Sequence, residues 1–390
     1  MRQSFTFVFA LVFLIFPGCS RNAAPAQDFA YQYHKAQNVQ TLQESDSGYY
    51  FGRMRHLTYI DKSTLAEVPL CAKPNCSHGD DTDCDGFFYF SASSDPYFLY
   101  SGGKLYCALN PPEKGMPNAL VRMDPDGQNR KTVCTFPEDE TISRFLLHRG
   151  NFYVQLTAFD EAGLRRTSIR KVSLDGKRQT EFLSFSSDES VSLDTAFDRF
   201  LYVSCFSKDE QYRMTSRTLI RLDCETGERL DIPAAEDGWV CENVTFAGGK
   251  MYVLQHESDA YDTESDPPKR LYRCEPDGSD PEFIVSGNGT WGSDGTLLYS
   301  SRPWGSIDGD DTESSPALVI FDAEGRELER LDLATLPCGR PGMLSVFPTF
   351  GSDVLFSAVC GDRVFLYRFP KSAIGSGALP LEPLGSYNWY

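Results

Sequence analysis

The sequence has little histidine and a shortage of basic side chains. Five of its 390 residues are His, and 37 Lys and Arg stand against 55 Asp and Glu, so the formal net charge is −18. A surface that binds nucleic-acid phosphates has to be basic. We therefore expect no nucleic-acid partner.

Several enzyme motifs are also missing. The chain holds no G-x-S-x-G elbow, no H-E-x-x-H helix signature, no P-loop and no dinucleotide-binding fingerprint. The sequence therefore nominates no catalytic residue. This favours a binding protein over an enzyme.

No hydrophobic run is long enough to cross a bilayer as a helix, which takes about 20 residues. The run 5–16 has twelve residues, with Thr6 as its only polar member, and it follows Met1-Arg2. A short apolar run behind a positive charge is typical of a secretory signal peptide. We expect the signal peptide to occupy residues 1–18.

The run ends in Phe16-Pro17-Gly18-Cys19, which resembles the lipobox of bacterial lipoproteins. The resemblance implies that Cys19 is acylated and tethers the protein to the cell membrane, facing the extracellular or periplasmic side. The alternatives are an ordinary signal peptide that contains Cys19, or an uncleaved anchor. We expect a tether over 19–28 and a single domain over 29–390.

A repeat of about fifty residues runs through that domain. Each copy has an apolar strand, an acidic residue, a glycine and a second strand, as in Leu271-Tyr-Arg-Cys-Glu-Pro-Asp-Gly278. The repeat glycines are Gly127, Gly176, Gly227, Gly278 and Gly325. Asp-Gly between two strands indicates a tight hairpin, because glycine tolerates a positive φ.

A second hairpin with an aromatic strand precedes each of these, for example Gly248-Gly249 before Lys250-Met-Tyr-Val253. Degenerate copies at both ends bring the count to seven units of four strands. This predicts an all-β, seven-bladed β-propeller, with six or eight blades as alternatives. An all-β solenoid or two stacked sandwiches are the other architectures that fit such strands.

The blade strings resemble those of exported TolB-like propellers. More narrowly, the first unit is similar to bacterial lipoproteins with DUF5050-type repeats, through Tyr49-Tyr-Phe51, Tyr59-Ile-Asp-Lys62 and Pro69-Leu-Cys-Ala-Lys-Pro-Asn-Cys-Ser-His78. The resemblance spans nearly the whole mature chain and implies a propeller fold. It assigns no activity.

The connections between second and third strands are long in five units, and binding residues are often found on such loops. Exposed aromatics beside carboxylates suit a carbohydrate or a peptide. The candidates for a ligand-binding face are Tyr212, Trp239, Tyr261, Trp304, Asp308 and Asp310. The alternative is that the aromatics only cap blade interfaces. Asp308 and Asp310 lack a full calcium ligand series, so we do not expect Ca²⁺ there.

Four metal-ligand residues crowd into an insert after the first unit, over residues 71–85. They are Cys71, Cys76, His78 and Cys84. Three thiolates and one imidazole suit a structural zinc site, whereas the Cys of an exported chain also form disulfides. Both alternatives stay open, as do free thiols. The remaining Cys beyond Cys19 are dispersed, and we expect them to be small buried residues.

Two functions follow from the sequence. The first is a membrane-tethered propeller that binds a carbohydrate, peptide or protein ligand without turning it over. The alternative is an extracytoplasmic hydrolase, active on glycosides or peptides, that is built on the same propeller.

Overall fold

The computed structural model describes residues 42–53, 56–79, 84–88, 98–111, 115–159, 165–185, 189–208, 214–258, 269–287, 291–301, 317–339, 341–347, 349 and 351–388. Cys19, the signal peptide and the tether lie outside these ranges. Within the described part of the chain, no helix combines the length and apolar character needed to span a membrane.

The described strands form seven antiparallel sheets of four, each built from four consecutive strands. Blades 1 to 3 contain β1–β12: Leu42–Glu44, Gly48–Arg53, His56–Asp61, Glu67–Pro69; Phe98–Ser101, Lys104–Leu109, Asn118–Met123, Lys131–Phe136; Thr141–His148, Asn151–Phe159, Arg165–Ser173, Gln179–Phe185. Blades 4 and 5 contain β13–β20: Glu189–Phe197, Phe200–Lys208, Met214–Asp223, Arg229–Ile232; Trp239–Ala247, Lys250–Glu257, Lys269–Cys274, Glu282–Gly287. Blades 6 and 7 contain β21–β28: Trp291–Ser293, Leu298–Ser300, Ala317–Phe321, Glu327–Asp332; Met343–Phe347, Asp353–Cys360, Arg363–Pro370, Glu382–Asn388.

The seven blades form a ring, and the prediction of a seven-bladed β-propeller is confirmed. Two short 3-10 helices, Leu333–Thr335 and Lys371–Ala373, follow the outer strand of blade 6 and the third strand of blade 7. Apolar clusters fill the spaces between neighbouring sheets, as where Leu219 of blade 4 packs with Val244 and Phe246 of blade 5. The core is therefore divided among the blade interfaces.

The repeat glycine does more than turn the chain. Gly176, in the hairpin between β11 and β12, has φ +73°, and a Cβ placed there would lie 1.8 Å from the Val133 carbonyl oxygen. Val133 belongs to β8, the outer strand of the preceding blade. A Cβ placed at Gly127 would likewise lie 2.6 Å from the Leu70 carbonyl oxygen. These hairpins therefore press against the blade before them, at a separation that leaves no room for a side chain.

A tyrosine of the aromatic strand holds the same interface from the other side. Tyr202 of β14 is buried, and its hydroxyl donates to the Pro276 carbonyl in the hairpin of the next blade, at 2.8 Å. Tyr252 of β18 donates in the same manner to the Ala323 carbonyl of blade 6. The tyrosine and the hairpin carbonyl that accepts its hydrogen bond are therefore both parts of the repeat, in neighbouring blades.

The ring is closed by side chains, because blades 1 and 7 are each complete without a strand from the other. Tyr49 of β2 donates to Asp353 of blade 7, and Arg368 of blade 7 donates to the Tyr49 hydroxyl at 3.0 Å. An apolar cluster joins the same two blades and includes Phe51 and Leu355. We call this contact between blades 7 and 1 the seam.

Candidate metal centre and a buried charged cluster

The Cys/His-rich insert leaves blade 1 after β4 and returns to it. The Leu57 N–H donates to the Gly86 carbonyl at 2.8 Å, and His56 and Phe87 form an isolated antiparallel bridge beside β3. The His56 ring also lies 3.2 Å from the Gly79 carbonyl oxygen, through Nε2. Both described ends of the insert are therefore held against the third strand of blade 1.

The structure brings the four predicted ligand residues together. The Sγ atoms of Cys71, Cys76 and Cys84 and a ring nitrogen of His78 all lie within 4.8 Å of one another. The Cys84 Sγ and the His78 Nδ1 are 3.7 Å apart. Cys84 is buried, Cys71 and Cys76 are partly exposed, and the three thiols are not joined by a disulfide. The choice of metal or disulfide stays a prediction.

Backbone N–H groups point at two of these sulfurs. Burial acts to raise the pKa of the Cys71 thiol, but hydrogen bonds from the N–H groups of Lys73 and Asp85, together with those from the Cys76 and Cys84 thiols, outweigh it, and the pKa is lowered. Burial raises the pKa of Cys84 to about 12, although the Gly86 N–H donates to its sulfur. Backbone N–H groups of the insert and of Gly86 therefore orient the Cys71 and Cys84 sulfurs.

An arginine of blade 2 contacts the insert and the segment that follows it. Arg130, in the hairpin between β7 and β8, donates to the Asp85 carbonyl at 2.5 Å and lies 4.2 Å above the Phe88 ring. Lys73 pairs with the Asp85 carboxylate at 3.2 Å. The insert consequently spans the interface between blades 1 and 2.

A second feature lies on the innermost strands of blades 4 and 5, where the register with the neighbouring strand shifts. In β13 the residue passed over is Asp194, and in β17 it is Glu242. Such bulges re-aim a side chain and often occur beside functional sites. Asp194 is buried and accepts from the Ser192 hydroxyl at 2.7 Å and from Ser204, with Arg144 4.0 Å away.

Glu242 belongs to a group of buried ionisable side chains that we call the charged cluster, namely Arg217, Glu242, His256 and Lys269. The Lys269 ammonium lies 3.0 and 3.1 Å from the two Glu242 carboxylate oxygens. The paired residues His256 and Lys269 flank the connection between β18 and β19. Because that connection joins a second to a third strand, the charged cluster lies at the base of the face predicted to bind ligand.

Burial lowers the pKa of His256, with Arg217 and Lys269 adding to the effect and Glu242 opposing it. In the folded protein, His256 therefore binds a proton only at a lower pH than in the unfolded chain, where its pKa is about 6.5, the ordinary His value. Because the unfolded state then binds more protons, stability falls as the pH drops through about 6.5. We expect denaturant unfolding to show a loss of stability between pH 7 and pH 5 that is smaller in His256→Gln. An equal loss in both proteins would contradict this.

Most predicted residues of the ligand-binding face lie outside the described residues, namely Tyr212, Tyr261, Trp304, Asp308 and Asp310. Trp239 opens β17 and is partly buried, with the Arg270 guanidinium 4.3 Å above its ring. Arg270 in turn pairs with Glu236 at 2.6 Å. Trp291 is buried against Phe321 in the interface between blades 5 and 6. Trp239 is therefore the described member of this face that stays accessible.

Two buried histidines and a disulfide are features that the sequence alone does not reveal. His148 is buried, with Nε2 2.5 Å from the Asp198 carbonyl oxygen of the next blade, and is not a solvated turn residue. His256 is fully buried, and is not a surface residue. Cys338 and Cys360 form a disulfide, although we expected the dispersed Cys to be single buried residues. In each case a group on another strand or blade helps to set the environment of the residue, and the sequence gives no local sign of it.

Neither a family model nor a curated protein matches the chain. Solved structures do match, at identities that show the fold alone. An oligogalacturonate lyase in complex with manganese is 14% identical with a TM-score of 0.55, over 88% of this chain and 91% of that chain. One of two prolyl endopeptidases is 14% identical with a TM-score of 0.58, over 93% of this chain and 51% of that chain. KlAtg21, in complex with the coiled coil of AgAtg16, is 12% identical with a TM-score of 0.50, over 91% of this chain and 100% of that chain.

Proposed function

We propose that this β-propeller is a lipid-anchored binding protein outside the cytoplasm, of the TolB-like or DUF5050 type. It holds a carbohydrate or peptide ligand and does not turn it over. The ligand binds on the face where the second-to-third strand connections emerge, above the charged cluster. Cys19 carries the lipid anchor.

The charged cluster is the observation that carries this proposal. Burying charges costs several kcal/mol per ion, so ionic side chains enclosed beneath a loop-bearing face stabilise a fold less than apolar side chains would. Buried ionisable groups with perturbed pKa values also mark functional sites more often than ordinary surfaces. Glu242 and Lys269 offer an acceptor and a donor that recognise hydroxyl, amide or carboxylate groups of a ligand.

The Cys338–Cys360 disulfide supports the location. Disulfides persist in oxidising compartments such as the periplasm and the cell exterior, and are rare in reducing cytoplasm. This agrees with the signal peptide and lipobox expected over residues 1–19. The bond joins the short connection after blade 6 to the second strand of blade 7.

A hydrolase is the second candidate, and one observation favours it. Asp194 and Glu242 each lie at a bulge in the first strand of their blade, in neighbouring blades, and glycoside hydrolysis uses two carboxylates. Both the oligogalacturonate lyase and the prolyl endopeptidases show that propellers of this general shape occur in enzymes. No motif of the sequence assigns a nucleophile.

The test uses detergent-solubilised full-length protein on glycan and peptide arrays, followed by titration of any hit. Glu242→Gln removes the carboxylate charge without changing its shape, and we expect it to weaken binding at least about tenfold, the equivalent of 1.4 kcal/mol. The control is Lys177→Gln in an exposed hairpin of blade 3. An unchanged affinity in Glu242→Gln would contradict the site. Turnover of a bound glycan or peptide at about 1 per second or faster would replace binding with hydrolysis.

A further inference from the structure

We propose that Cys71, Cys76, His78 and Cys84 bind one Zn²⁺ in a closed tetrahedral centre that fastens the 71–85 insert across blades 1 and 2. The proposal concerns a different part of the molecule from the charged cluster. It does not depend on what the ligand-binding face holds.

The distances fit a tetrahedron of zinc ligands. With Zn–S bonds of about 2.3 Å and a Zn–N bond of about 2.0–2.1 Å, ligand atoms lie roughly 3.5–3.8 Å apart. The 3.7 Å between the Cys84 Sγ and the His78 Nδ1 falls in that range. The complete set lies within 4.8 Å, so closing around an ion requires shifts of about 1 Å or less.

The surroundings of the sulfurs suit thiolates bound to a metal. Metal ligands are usually oriented and electronically tuned by hydrogen bonds from a second layer of groups. Here the N–H groups of Lys73 and Asp85 donate to the Cys71 sulfur, and that of Gly86 donates to the Cys84 sulfur. Three thiolates around Zn²⁺ leave one net negative charge. Arg130 donates to the carbonyl of Asp85, the residue after Cys84, and so supplies a compensating cation beside the centre.

The conformation of His78 points to the same conclusion. Its φ is +53°, in the left-handed region, which is unfavourable for a residue with a Cβ. Asn75, just before Cys76, also has a positive φ of 64°. These two turns bring the Cys76 sulfur and the His78 imidazole beside Cys71 and Cys84. A disulfide would not require the His78 imidazole to lie beside the sulfurs, whereas a zinc ion with four protein ligands does.

The centre is structural. Four protein ligands complete the zinc coordination and leave no open position for a substrate or water. The insert has few apolar side chains with which to order itself, and ordering its backbone costs conformational entropy. Metal binding offsets that cost. It also holds Asp85 and Phe88 where Arg130 of blade 2 contacts them.

The experiment measures metal content and accessible thiols of full-length protein purified without chelator. We expect about one Zn²⁺ per chain, and release of zinc by chelator together with exposure of three thiols. His78→Ala should weaken zinc binding by more than about 100-fold, beyond the usual effect of losing an outer hydrogen bond. His78→Cys should restore it, because cysteine also binds zinc. Ser77→Ala, one residue away and exposed, is the matched control.

A second measurement covers the case in which His78→Ala does not fold. Wild-type protein stripped of zinc and loaded with Co²⁺ should show the intense visible absorption of four-coordinate cobalt with thiolate ligands. Zinc absent with three free thiols, or a mass lower by two hydrogens from a disulfide among Cys71, Cys76 and Cys84, would overturn the proposal. Full zinc binding in folded His78→Ala would overturn the assignment of the imidazole.

Discussion

Lys269→Met should lower the free energy of unfolding by about 3–5 kcal/mol, the loss typical of removing one partner from a buried ion pair. The Lys269 and Glu242 side chains are 9% and 10% exposed, and the ammonium contacts both carboxylate oxygens. Without the ammonium, the Glu242 carboxylate stays buried without its nearest counter-charge. Denaturant unfolding monitored by tryptophan fluorescence measures the change.

The control is Lys177→Met, whose partner Asp175 lies 3.8 Å away at a surface where the lysine side chain is 83% exposed. An exposed pair is worth about 0–1 kcal/mol, so this variant should unfold almost like the wild type. The double variant Glu242→Leu, Lys269→Met should regain most of the lost stability, because apolar residues can replace a buried pair. A Lys269→Met protein as stable as Lys177→Met would contradict the buried pair.

Gly176→Ala should lower the free energy of unfolding by about 3 kcal/mol or more. The substitution forces an alanine to a φ of +73°, and its Cβ would lie 1.8 Å from the Val133 carbonyl oxygen. Backbone strain of this kind costs of order 1–3 kcal/mol. The clash is additional, and it is with backbone of a sheet that cannot swing aside. The hairpin must therefore move away from blade 2 and loosen that interface.

Gly227→Ala separates strain from clash. Gly227 occupies the equivalent hairpin in blade 4 and has a φ of +74°, but no atom lies within 4 Å of the Cβ that alanine would add. We expect a loss of only about 1–2 kcal/mol, from the left-handed backbone alone. Equal losses in Gly176→Ala and Gly227→Ala would show that the hairpin of blade 3 does not press on Val133 in solution.

The sequence was informative wherever the partners lie close along the chain. Cys71, Cys76, His78 and Cys84 span fewer than twenty residues, so their spacing alone suggested one site. The blades were predictable for the same reason, since each consists of consecutive strands joined by short turns. Glycine at each turn was expected from backbone freedom. The approach of Gly127 and Gly176 to the preceding blade was not, because nothing local reports on a neighbouring sheet.

The residues of the charged cluster could not be grouped into one site from the sequence. Arg217 comes from blade 4, whereas Glu242, His256 and Lys269 come from three strands of blade 5. The register shift at Glu242 depends on how β17 pairs with β18, and an isolated acidic residue in a strand gives no sign of it. A buried Glu or Lys is uncommon without a partner. A charged residue inside the inner strand of a blade was therefore the one signal available.

The seam between blades 7 and 1 has a consequence for the order in which the molecule assembles. Every described β-ladder joins strands that are consecutive in the chain, whereas the Tyr49–Asp353 contact spans 304 residues. Local pairings form quickly and distant ones slowly. During synthesis, blades can therefore form in succession from the amino-terminal end, and the ring closes last. A circular permutant that joins the present termini and begins at any blade-to-blade connection keeps every ladder intact. It relocates only the last step of folding.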